Sequence, residues 1–197
     1  MIALPTLAPG ESEQLFVYVG SYTKNPPGGG SNNPVGLSVF QFNSDSGTLS
    51  PVQQVPSANP SFVTLHPSRH FLYVVNEISD YEGQPSGSAE AYAIDPSSGK
   101  ITLLNRQSVG GATPAHLTVD RAGRHLVVAN YVGGNFVALA IEPDGRLGPV
   151  TGEFRDAGRG PNSSDRRRHI PTWLPSTRRV ASSRPRTSAS TKCRSFA

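Results

Sequence analysis

The strongest constraint on the fold is an internal repeat. Phe62-Val63-Thr64-Leu65-His66-Pro67-Ser68-Arg69-His70-Phe71-Leu72-Tyr73-Val74-Val75-Asn76 returns as His116-Leu117-Thr118-Val119-Asp120-Arg121-Ala122-Gly123-Arg124-His125-Leu126-Val127-Val128-Ala129-Asn130, an offset of 54 residues. Each copy reads as a short strand, a polar turn and a β-rich strand that ends in Asn. A partial earlier copy, Phe16-Val17-Tyr18-Val19-Gly20-Ser21-Tyr22, stands 56 residues before Leu72-Tyr73-Val74-Val75-Asn76. Two further strand-like runs follow each copy: 36–42 and 47–50, then 89–94 and 99–104, then 136–141 and 145–147. The loops between them, 43–47, 95–99 and 142–145, carry the Asn, Asp, Pro and Gly of hairpin turns. A unit of this kind buries its two faces only by stacking on its neighbours. Four antiparallel strands in roughly fifty residues make one blade of a β-propeller. The fold class is therefore all-β, a propeller of four-stranded antiparallel blades.

Six motifs sharpen this reading. They are Tyr18-Val19-Gly20-Ser21-Tyr22-Thr23, Tyr73-Val74-Val75-Asn76-Glu77, Pro114-Ala115-His116-Leu117, Val128-Ala129-Asn130-Tyr131 with Gly133-Gly134, Asp144-Gly145-Arg146-Leu147-Gly148-Pro149, and Gly158-Arg159-Gly160-Pro161-Asn162. In order and spacing across residues 15–162 they resemble the lactonase-type seven-bladed propellers, which include bacterial 6-phosphogluconolactonase and the fungal carboxymuconate cyclase. The resemblance implies about three blades of a seven-bladed ring. It also implies hydrolysis of a small-molecule sugar lactone with no cofactor and no metal. A carboxymuconate-type cycloisomerase and a non-catalytic propeller fragment used as an interaction module are the alternatives. WD-repeat propellers are disfavoured, because no Trp-Asp pair occurs and the only Trp is Trp173.

Charge divides the chain. The net +4 of the 197 residues conceals a tail from Asp165 with nine basic residues against one acid, which leaves −4 for the remainder. The expected organisation is an N-terminal extension over 1–14, a partial propeller over 15–162 and a basic, disordered tail over 163–197. Back-translated and read from the third base of each codon, the tail permits Arg-Gln, a His-x-His, a strand–turn–strand and an Asp-Leu-Gly step. These are the elements that the resemblance implies next, in order and with no obligatory stop. A one-base frameshift near Ser163 or Ser164 accounts for this, and the coding DNA tests it. The tail's basicity then implies no nucleic-acid partner.

Polar residues that end otherwise apolar inner strands are the first candidates for a site, because ligands of propellers sit at one mouth of the central channel. Asn76 and Asn130 occupy equivalent strand ends, followed by Glu77 and Tyr131, with Tyr22 nearly equivalent. Asn76, Asn130, Tyr131 and Tyr22 are taken as substrate-binding residues. Glu77 breaks the repeat and His116 replaces the apolar Phe62 of the preceding copy, so these two are the catalytic candidates. A carboxylate or an imidazole with a pKa near ~6.5 suits activation of water. His66, His70 and His125 fall in turns or at strand starts and are expected to face solvent, while His169 lies in the tail and is given no role. No Arg or Lys falls at an inner-strand end, although an anionic lactone calls for one.

Other functions find no support in the sequence. Gly28-Gly29-Gly30 has no following Lys-Ser/Thr and is not a phosphate loop, and the single Cys193 builds neither a disulfide nor a cysteine metal site. No apolar run approaches the ~20 residues of a membrane span. Residues 1–14 lack the charged and apolar regions of a secretory signal, so a cytoplasmic location is expected. Three blades leave two sheet faces open, which implies self-association through apolar patches.

Overall fold

A computed structural model describes residues 14–24 and 34–155. They form eleven strands in three antiparallel sheets, each a simple meander in chain order. The first sheet holds β1 (Leu15–Gly20), β2 (Gly36–Asn43) and β3 (Thr48–Pro56). The second holds β4 (Pro60–Leu65), β5 (Phe71–Asn76), β6 (Ser88–Ile94) and β7 (Ile101–Ser108). The third holds β8 (Pro114–Val119), β9 (His125–Asn130), β10 (Asn135–Ile141) and β11 (Leu147–Arg155). The second and third sheets are the expected four-stranded blades, and the first holds three strands among the described residues. The motif at 158–162 and the tail from 163 lie outside the described residues, as does the extension up to residue 13.

The repeat is visible in the ladders. Pro60 opposes Asn76 and Pro114 opposes Asn130, each followed by an irregularity that leaves Ser61 or Ala115 as the extra residue. A second irregularity recurs between the last two strands of every blade, at Val39/Phe40, Ala91/Tyr92 and Ala138/Leu139. An extra residue on one strand bends the pair and steepens its twist. Repetition at the same place gives the blades a common shape.

Packing explains why β5 reads as an unbroken apolar run instead of an alternating one. It lies between two other blades, so both of its faces are covered. Leu72 and Val74 join Leu37, Val39, Tyr92 and Ile101 in one core, between blades one and two. Tyr73 and Val75 join Leu117, Leu126, Val128 and Leu139 in the other, between blades two and three. Each joint is also pinned by an aromatic pair on a glycine hairpin. Tyr18 Oη donates to the Gly99 carbonyl and Tyr73 Oη to the Gly145 carbonyl, both at 3.0 Å. Phe16 and Phe71 lie where a Cβ would stand on Gly99 (φ +68°) and Gly145 (φ +85°). Glycine is required there twice over, by the left-handed backbone and by the ring.

This pinning corrects the register of the first copy. Phe16 and Tyr18 play the parts of Phe71 and Tyr73, an offset of 55 and not 56, so Ser21 stands where Asn76 stands. The outward sides of the outer blades carry exposed apolar groups: Leu15, Val19 and Leu49 on the first, Val150 and Phe154 on the third. Phe154 is 62% exposed, against complete burial of the inter-blade positions.

Candidate functional site

The inner strands β4 and β8 begin with Pro60 and Pro114, and the residue before each has left-handed backbone: Asn59 (φ 46°) and Thr113 (φ 56°). Asn tolerates this region because its short side chain bonds locally, whereas a β-branched Thr does not. Each kinked residue offers its carbonyl to the residue that follows the neighbouring strand, Glu77 N to Asn59 O at 2.9 Å and Tyr131 N to Thr113 O at 2.8 Å. Glu77 and Tyr131 are thus held at equivalent places on the same rim. The kink positions them.

Around Asn59 a polar cluster forms. Its Oδ1 accepts from the Thr23 amide at 3.0 Å, the Thr23 hydroxyl at 3.1 Å and the Lys24 amide at 2.9 Å, and its Nδ2 donates to the Glu77 carbonyl at 3.4 Å. The segment after β1 is thereby tied to the ends of β4 and β5. Tyr22 Oη donates to Glu77 Oε2 at 2.6 Å. Burial, with the carboxylate as a second cause, pushes the Tyr22 phenol up to about 12, so it stays protonated and keeps donating. The hydroxyl of Ser61 acts weakly against that rise, yet forms no hydrogen bond of its own. The sequence reading named Tyr22 and Glu77 separately, and the structure joins them.

His116 stands apart from this pair. Its ring packs on Phe62, the equivalent residue of the preceding inner strand, at 4.2 Å between centroids, and its Nδ1 is buried without a partner. Burial holds its pKa below the usual histidine value, so it is a neutral imidazole near neutral pH. The unfolded chain therefore binds this proton more readily than the folded one. The resulting stability is complete above the unfolded value near ~6.5 and is lost as the pH falls below it. Replacing His116 by Phe, the residue of the preceding blade, is expected to flatten the fall in Tm between about pH 7 and about pH 5. An unchanged fall in thermal melts would contradict this origin.

Asn76 and Asn130 require correction. They were expected to bind substrate, yet they are 1% and 0% exposed. Asn76 Nδ2 donates to Ser57 Oγ and the Ala58 carbonyl, both at 2.9 Å, and its Oδ1 accepts from Ser88 Oγ at 2.9 Å. Asn130 Nδ2 donates to the Val109 carbonyl at 2.9 Å. Both hold the strand end to the linker arriving from the previous blade, out of reach of a ligand. Tyr131, 39% exposed on the rim, stays accessible. His66 also differs from expectation. It is half-buried between two turns, with Nε2 3.0 Å from the Gly123 carbonyl, instead of facing solvent.

A family model described as "Lactonase, 7-bladed beta-propeller" matches residues 16–183. The chain belongs to the lactonase family of seven-bladed β-propellers. The match runs past Asn162, where the motif reading stopped, into the segment assigned to a shifted register. Proteins named 6-phosphogluconolactonase from Formosa agariphila and Bacillus subtilis are 33% and 32% identical, over 73% and 77% of this chain and 38% and 40% of theirs. The chain thus spans about two fifths of the length of these curated relatives. A solved structure from Bacteroides fragilis matches with a TM-score of 0.66 and 33% identity, over 78% of this chain and 39% of its own. The Pseudomonas aeruginosa periplasmic gluconolactonase matches with a TM-score of 0.60 and 29% identity, over 72% of this chain and 38% of its own. Among the described residues no helix is long and apolar enough to cross a membrane, and no group of three His, Cys, Asp or Glu side chains could hold a metal.

One charged cluster of this lactonase-family chain was missed by sequence reading. Glu90, 1% exposed on β6, accepts from Arg106 Nε at 2.7 Å, Ser57 Oγ at 2.7 Å and Tyr92 Oη at 2.6 Å. Burial and the carboxylate raise the Tyr92 pKa, which keeps its phenol a donor. The cluster fastens the linker after blade one to the middle of blade two. A lone acid inside Ala89-Glu90-Ala91-Tyr92 was the available signal.

Proposed function

We propose that the chain carries part of the active site of a sugar-lactone hydrolase, at the rim where blades one and two meet. The observation that carries this reading is the Tyr22–Glu77 pair, a half-buried carboxylate receiving a phenolic hydrogen bond at 2.6 Å on the inner rim of a lactonase-family propeller. In the reaction, Glu77 takes a proton from water as the water oxygen adds to the lactone carbonyl. The ring C–O bond then breaks and the leaving alkoxide takes the proton from Glu77, giving the open-chain hydroxy acid and restoring the carboxylate. Tyr22, held protonated, orients the carboxylate and lies near enough to offer its proton to developing negative charge. His116, neutral and packed on Phe62 in the inner strand of the next blade, and Tyr131 on the rim are assigned to positioning the sugar ring. The names of the curated relatives favour a phosphorylated gluconolactone as substrate.

The Arg-Gln and His-x-His steps that the resemblance implies as positive and basic machinery fall in the segment read as frameshifted. The chain in its present register is therefore expected to hydrolyse lactones weakly or not at all. Assaying hydrolysis of δ-gluconolactone and its 6-phosphate, beside a chain whose register is restored after Asn162, tests this reading. Activity confined to or much higher in the restored chain supports it. No lactone hydrolysis in either, with the restored chain folded, removes it.

A further inference from the structure

Beside Thr23, the neighbour of Tyr22, a groove of about 530 Å³ lies between blades one and two, lined by Lys24, Arg106, Thr23, Ser57 and the rings of Pro34 and Pro56. Two cations face one concavity. Arg106 is 43% exposed and commits only its Nε to Glu90. Among the described residues its two terminal nitrogens make no hydrogen bond, and neither does the Lys24 ammonium. The Glu90 carboxylate accepts from Arg106 at Oε1 and from Ser57 and Tyr92 at Oε2, so it is itself held in place and fixes the guanidinium plane. A guanidinium anchored by Nε and open at its two ends presents the geometry that grips a tetrahedral oxyanion, and an ammonium beside it adds a point charge. The backbone that carries Lys24 is anchored beside it, because the Lys24 amide is held by Asn59 Oδ1 at 2.9 Å.

Asn59 connects this groove to the catalytic candidates, since the same side chain reaches Thr23, Lys24 and the backbone of Glu77. We infer that the groove is an anion subsite that takes the phosphate carried by the substrate whose lactone ring sits at Tyr22–Glu77. The identity of the ligand rests on the hydrolase reading, whereas the existence of the subsite does not. The subsite also supplies the positive charge that the sequence did not reveal at any inner-strand end.

Titrating inorganic phosphate into the ¹⁵N-labelled chain at constant ionic strength tests the subsite. The largest shifts are expected at the Arg106 Nε–H and the amides of Thr23, Lys24 and Ser57. Lys24→Gln is expected to weaken phosphate binding roughly fivefold or more, as loss of one charge-assisted contact does. Arg106→Lys, which retains a cation beside Glu90 but removes the fork, is expected to weaken it similarly while the chain stays folded. Absence of phosphate shifts at these residues, or an affinity unchanged by Lys24→Gln, overturns the inference. Lactone hydrolysis on the same sample separates the two readings. Phosphate bound in the groove of a folded chain that hydrolyses no lactone leaves the subsite standing and removes the hydrolase. Hydrolysis without phosphate binding does the reverse.

Discussion

Glu77→Gln is expected to reduce lactone hydrolysis by about 10²–10⁴-fold in the register-restored chain, the range over which a positioned general base contributes. The substitution keeps the size of the side chain and leaves an amide oxygen to accept the Tyr22 hydrogen bond, now 2.6 Å long. What it removes is the lone pair that takes up the proton of water. The loss should fall on kcat, with KM little altered, because Glu77 acts on the attacking water and not on the sugar. Tyr22→Phe should fall between the two, since the carboxylate stays but loses the donor that orients it. A Glu77→Gln chain of normal Tm and normal kcat would show that the base lies elsewhere on the rim.

Glu90→Ala is expected to lower stability by about 3 kcal/mol, at the lower end for breaking a buried ion pair because Arg106 can reach water. Three donors lose their acceptor at once. The Tyr92 phenol and the Ser57 hydroxyl are enclosed, so each carries a desolvation cost of ~1–3 kcal/mol when unpaired. For a chain of this size the change corresponds to a fall in Tm of roughly 6–12 °C. Glu90→Gln should cost less, since one oxygen remains to accept. Thermal melts of the three proteins decide the matter, and a fall below about 2 °C for Glu90→Ala would mean that the linker is held by packing alone.

How much of this was legible in the residues depended on whether the deciding contact was local. The blades were legible, because the 54-residue offset and the Asp-Pro-Ser-Ser-Gly type of turn are written into consecutive residues. The one-residue error at β1 arose where the first copy lacks the Asn that marks the strand end, and Phe16 and Tyr18 on the Gly99 hairpin settle it. Glu77 was found because it breaks the repeat, and Tyr22 because it stands close to the equivalent strand end. Asn76 and Asn130 were misassigned for a nonlocal reason. A polar residue at a strand end can turn to the channel or to the backbone beside it, and here the linker from the preceding blade supplies the carbonyls of Ala58 and Val109. Asn59 and Arg106 were missed on the same ground. The first matters through a left-handed kink before Pro60, and the second through a partner sixteen positions away across a sheet register.

Catalysis at the Tyr22–Glu77 rim depends above all on where the lactone sits. Titrating the ¹⁵N-labelled chain with δ-gluconolactam, the amide isostere that resists hydrolysis, measures this directly without requiring turnover. Shifts concentrated at Tyr22, Thr23, Glu77 and His116, and lost in Glu77→Gln, are the predicted result. Shifts centred on any other part of the chain, or none at saturating lactam in the register-restored protein, would contradict it.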